Sequence, residues 1–151
     1  MSINNLEITP YRGIGDINFN LSLDSTKDYL KENGIKYTID VWDNKGCDPE
    51  VPWSIIRIGK DISLFFAKGK MFKIYLEGDY NGSLENGIRI GTPISKAKEI
   101  DPSLTFEEFE EYYSSSLGYW LEDDIESQSV SSITVFIKEL LDEEVFFAYN
   151  W

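Results

Sequence analysis

The chain reads as an α+β fold: a mainly antiparallel sheet with short helices on one face. Three observations predict this. Alternating polar and apolar runs rich in β-branched and aromatic residues dominate the sequence. Short glycine-containing turns join several of them. Only a few short segments carry helix-boundary signals.

The strand evidence is clearest in the middle of the chain. Residues 52–58 end at the turn Gly59, Lys60, Asp61, and residues 62–67 follow. A second turn, Lys68, Gly69, Lys70, leads into residues 71–77. Three β-rich runs joined by two tight turns predict a meander. Residues 16–20 and 36–41 alternate polar and apolar and predict further strands. Later in the chain, residues 118–122 and 132–137 predict strands separated by a polar loop over 123–131, and the apolar tail 144–151 predicts a final strand.

Helix signals are local. Residues 24–33 end at Gly34, a C-terminal cap, and Ser22 or Asp24 can cap the start. Residues 93–100 follow Thr92 and begin with a first-turn proline. Thr105 and Glu108 have capping-box spacing, which predicts another helical turn there.

A weak internal repeat is visible. Residues 15–23 lead into the first helical segment and residues 87–94 into the second, and each half then runs to a pair of strands. Strand patterns of this kind also recur by chance. As a duplication, 13–80 and 86–138 would be two strand–helix–meander units sharing one sheet, with one sheet face partly open for binding.

At 151 residues the chain predicts a single domain, 1–151, with a real core. Its 15% aromatic content argues against disorder. No apolar run approaches the roughly 20 residues that span a bilayer, and the first residues lack a signal-peptide pattern. The lone Cys47 can form no internal disulfide, which fits a reducing cytoplasm. It lies in a predicted loop with acidic neighbours, which disfavour a thiolate. The sequence contains no histidine, which removes the usual general base and the commonest metal ligand. A histidine-based triad is thereby excluded, and one cysteine with no histidine argues against a structural zinc site. Calcium-loop, dinucleotide and phosphate-loop motifs are absent as well. The sequence therefore predicts no enzyme, no metal and no cofactor.

Charge carries the functional signal. Residues 1–98 contain 13 acids and 13 bases, whereas 99–151 contain 14 acids and one base, Lys138. Residues 99–126 hold ten carboxylates and no Lys or Arg. Their bland reading is a solvated face that keeps the chain soluble. Against it stand the complete segregation of charge, the self-repulsion it costs, and the aromatics among the acids. The candidate partner-binding residues are Glu107, Glu108, Glu110, Glu111, Asp123, Asp124 and Glu126 for charge, with Tyr112, Tyr113 and Tyr119 for contact. Phe109 and Trp120 are expected to be buried. Such a surface suits a basic protein and repels nucleic acid.

In its acidic and aromatic run 107–124, its β-rich body and the paired segments 15–23 and 87–94, the chain resembles bacterial immunity proteins of polymorphic-toxin and contact-dependent growth-inhibition systems. The resemblance covers most of the chain in style. It implies a small cytoplasmic protein that neutralises a cognate toxin domain, often a cationic nuclease, by covering its active cleft. Two rival readings use the same carboxylates: a nucleic-acid mimic that blocks a DNA-binding protein, and a carboxylate-dependent enzyme.

Overall fold

Eight strands of the protein form one antiparallel sheet made of two meanders placed back to back. The computed structural model describes residues 3–43 and 51–151, so Cys47 and its loop lie outside the described residues. A small three-stranded sheet comes first: β1 (Ile8–Thr9), β2 (Gly13–Ile14) and β3 (Ile17–Asn18). Helix α1 (Leu23–Glu32) follows. The first meander is β4 (Thr38–Trp42), β5 (Trp53–Ile58), β6 (Ile62–Ala67) and β7 (Lys70–Glu77). Helix α2 (Ile94–Ile100) precedes the second meander, β8 (Thr105–Glu107), β9 (Tyr112–Ser115), β10 (Tyr119–Asp124) and β11 (Ser129–Phe136). The sheet order is β4-β5-β6-β7-β11-β10-β9-β8, so the two meanders meet along their last strands.

Local chemistry explains these elements. Ser22 caps α1, its Oγ accepting from the Ser25 amide at 3.0 Å, and Gly34 ends the helix with φ +66°. Alternation then sends one set of strand side chains toward the helices. Ile56, Ile62, Leu64, Ile74, Leu76, Leu121, Ile133 and Val135 pack with Leu30 of α1 and Ile94 and Ala97 of α2. Ile8, Ile14 and Ile17 of the small sheet join the same core.

The two units match in detail. Ser22 bridges to Lys70, and Pro93 bridges to Ser129. The first amide of each helix donates to the residue before the last strand, Leu23 to Gly69 and Ile94 to Gln128, both at 2.9 Å. One ladder irregularity follows Phe65 in β6 and another follows Glu122 in β10. Thr38, Ile39 and Asp40 of β4 correspond to Thr105, Phe106 and Glu107 of β8. The helix bridges make Tyr75 the counterpart of Thr134, and these two residues are directly paired across the β7–β11 seam. A pseudo-twofold axis therefore passes through that pair, perpendicular to the sheet.

Four sequence expectations are corrected. The Thr105 capping-box segment is strand β8, because Phe106 pairs with Tyr113. The polar loop over 123–131 shrinks to a turn at 125–128, as β10 and β11 extend into it. Of residues 16–20 only Ile17–Asn18 form a strand, held in a tight small sheet. The tail is a 3-10 turn at Lys138–Leu141 followed by helix α3 (Glu143–Phe147), not a strand. Asp142 caps α3, its carboxylate accepting from the Glu144 and Val145 amides. While α1 and α2 share one sheet face, the tail packs on the other. There Phe146 and Tyr149 form a second cluster with Ala67, Phe72 and Ile137, flanked by Trp53, Phe65 and Trp151.

Candidate partner-binding surface

Successive turns of a meander alternate between the two ends of a sheet. The β8–β9 turn and the β10–β11 turn therefore lie at the same end. That geometry brings Glu107, Glu108, Glu110 and Glu111 to the same end as Asp123, Asp124 and Glu126. All seven are exposed except Asp123, which is half-buried. At the tip of each turn stands an apolar side chain. Phe109 is 100% exposed and Ile125 is 88% exposed.

The turns are held by their own backbone and by the acids themselves. Glu111 adopts φ +59° and its amide donates to the Glu107 carbonyl at 2.8 Å. The Asp124 carboxylate accepts from the Glu126 amide at 2.9 Å, which fixes the second turn. Glu107 accepts from Ser114 Oγ at 3.0 Å. Its counterpart Asp40 accepts from Arg57 Nε at 2.9 Å, so the same edge position is neutralised in one unit and left anionic in the other.

Between the two acidic turns lies a cleft of about 460 Å³, lined by Tyr75, Phe106, Glu111, Tyr113, Glu122, Asp123, Ile125 and Ser131. Glu122 is ordered on the open face, accepting from Tyr75 OH at 2.8 Å and Ser132 Oγ at 2.6 Å. Burial, supported by the Glu122 charge, pushes the Tyr75 phenol up to about 12. Tyr112 is also raised, first by burial and then by the charges of Glu110 and Glu107. Both phenols keep their protons near neutral pH. The site thus offers carboxylate acceptors, phenol donors and exposed apolar tips.

The aromatic assignments need correction. Tyr119, expected at the surface, is 1% exposed: it alternates inward with Leu121, and its hydroxyl donates to Asp101. Phe109, expected in the core, is at a turn tip because no helix forms there. Trp120 is half-buried on the open sheet face, between Tyr112 at 4.5 Å and Phe136 at 4.4 Å. Tyr113 lies on the helix side beneath Lys98, whose Nζ is 5.0 Å from the ring centre. The sequence reading missed Ile125, Glu122 and the cleft residues Tyr75, Phe106 and Ser131. An apolar residue inside an otherwise polar turn was the available signal for Ile125.

Among the described residues, no group of three or more potential metal-ligating side chains occurs, and no helix is long and apolar enough to cross a membrane. Comparison of the chain with protein-family models, with curated proteins and with solved structures finds no match in any of the three.

Proposed function

We propose that the protein is a non-catalytic inhibitor that binds a basic partner, of the immunity-protein kind, and neutralises a cationic toxin domain of nuclease type in the cytoplasm. One observation carries the reading: two acidic turns, each tipped by an exposed apolar side chain, converge at one end of the sheet. A nuclease cleft must attract phosphates, so it is basic. Carboxylates on rigid turns compete for that cleft. Opposite fields speed encounter, with on-rates reaching on the order of 10⁸–10⁹ M⁻¹s⁻¹ at low salt. Phe109 and Ile125 then supply the desolvated contacts that slow dissociation.

The test co-expresses the chain with each member of a panel of basic nuclease toxin domains and scores growth. A rescued pair is then followed by stopped-flow binding. Glu110→Lys, Glu111→Lys and Asp123→Lys together, with Asp124→Asn to keep the turn hydrogen bonds, should cut the association rate about tenfold or more at low salt. Unaltered association in that variant, with an intact fold, refutes the surface. Inhibition of many unrelated DNA-binding proteins would favour a nucleic-acid mimic instead.

A further inference from the structure

The pseudo-twofold axis relates the acidic cleft to a place in the molecule that is already filled. Strand registers make Phe65 the counterpart of Glu122, and the bulged residue Phe72 the counterpart of Ser131. Glu122 and Ser131 line the open cleft. Phe65 and Phe72 lie beneath the chain's own tail. Phe146 sits 5.1 Å from Phe72 and stacks on Trp151 at 5.5 Å, while Ile137 donates its amide to the Phe72 carbonyl at 2.9 Å.

The β6–β7 and β10–β11 turns also differ in charge. The tail, residues 138–151, carries four acids and one base. The β6–β7 turn that receives it is basic. Lys68 Nζ lies 5.3 Å from the Tyr149 ring, and Lys70 Nζ lies 5.9 Å from the Trp151 ring and donates to the Trp151 carbonyl. The corresponding β10–β11 turn holds Glu126 and follows Asp123 and Asp124 at the end of β10, and among the described residues no counterpart of the tail packs over it.

We infer that the acidic cleft receives a short segment of the basic partner, helical, lysine- or arginine-bearing and anchored by an aromatic side chain, docked across Glu122 and Ser131 as the tail docks across Phe65 and Phe72. This rests on the reading of the surface as a site for a basic protein, and it adds the form of the bound element. In the first unit an acidic segment lies on a cationic turn over an apolar floor. In the second the turn is acidic and Glu122 and Ser131 stand where the apolar floor was, so the complementary segment is cationic. Tyr75, on the same face as Glu122, and Ile125 at the turn tip give its aromatic anchor a contact.

The probe is the tail itself with its sign reversed. It is a fluorescein-labelled peptide of residues 138–151 carrying Glu139→Lys, Glu143→Lys and Glu144→Lys, titrated into the full chain. The peptide should bind about tenfold tighter than the unaltered tail peptide. Amide shift changes should centre on Tyr75, Glu122, Ile125 and Ser131. Ile125→Ser and Glu111→Lys, both at exposed positions, should each weaken binding severalfold. Three results overturn the inference: no binding, shift changes centred on Phe65 and Phe72, or equal binding by the basic peptide with Phe146→Ala, Phe147→Ala and Trp151→Ala. None of these touches the toxin-rescue test, whose failure would remove the functional reading separately.

Discussion

Asp101→Ala should be the most damaging single change of charge in the acidic unit, and the structure sets its size. Asp101 is 4% exposed at the end of α2. Its carboxylate accepts from the Ser103 amide at 3.0 Å, Ser103 Oγ at 2.6 Å, Ser115 Oγ at 2.5 Å and Tyr119 OH. Burial alone would raise its carboxyl pKa, but these four donors outweigh it and hold the group below its ordinary value. Burial and the Asp101 charge push Tyr119 up to about 12, so the phenol stays a donor. Hydrogen bonds to a charged group contribute roughly 1.5–3 kcal/mol each, and they are not additive. Removing the acceptor also leaves the proton of the buried Tyr119 hydroxyl, which accepts from Asn86, without its acceptor, for a total cost of about 3–5 kcal/mol. For a chain of this size that is a fall in Tm of about 10 °C. The pH dependence has a definite sign. Because the folded pKa is depressed, the contribution is complete above the unfolded carboxylate value and is lost as pH falls through the lower folded one. Thermal unfolding followed by circular dichroism between pH 7 and pH 2 tests both parts. The gap between wild type and Asp101→Ala should be widest at neutral pH and narrow in acid. A Tm within about 2 °C of wild type, or a gap that does not change with pH, refutes the assignment.

The other expectations concern the tips and the tail. Phe109→Ser should leave Tm within about 1 °C, because the side chain packs on nothing, yet raise the partner's dissociation rate about tenfold. Phe146→Ala should cost about 3–5 kcal/mol by emptying the aromatic cluster under the tail. It should also open the segment after Ile137 to proteolysis, which limited digestion and mass spectrometry would detect. Raising salt from 0.05 to 0.5 M should slow association with the basic partner by at least roughly tenfold while changing dissociation little.

The first meander was legible because two glycine turns, Gly59 and Gly69, punctuate strongly alternating runs. The second was harder to read. Thr105 and Glu108 have the spacing of a capping box, but cross-strand packing of Phe106 on Tyr113 overrides that local signal. In the tail, the β-forming run Val145, Phe146, Phe147 and Tyr149 hid a helix whose start was marked by Asp142 followed by Glu143 and Glu144. Short apolar runs do not separate strand from helix. The candidate site's charges were legible from segregation alone, and the turns bring them to one end. Its aromatics were not, because the inward or outward sense of Tyr119 and Phe109 depends on strand register and on the sheet's full order. The cleft depends on contacts between Tyr75 and Glu122, 47 positions apart, which no local pattern encodes.

The seam between β7 and β11 gives the two halves of the chain different work. Along it Leu76, Ile74, Ile133 and Val135 interlock over five consecutive rungs, so neither half can loosen without its neighbour. The less charged half thereby acts as ballast. Residues 86–138 hold ten acids against four bases, and the repulsion among them is borne through a backbone ladder shared with residues 13–80, whose eleven acids are nearly matched by nine bases. Charge could then accumulate on one side of the seam while the other stayed free to keep the molecule folded.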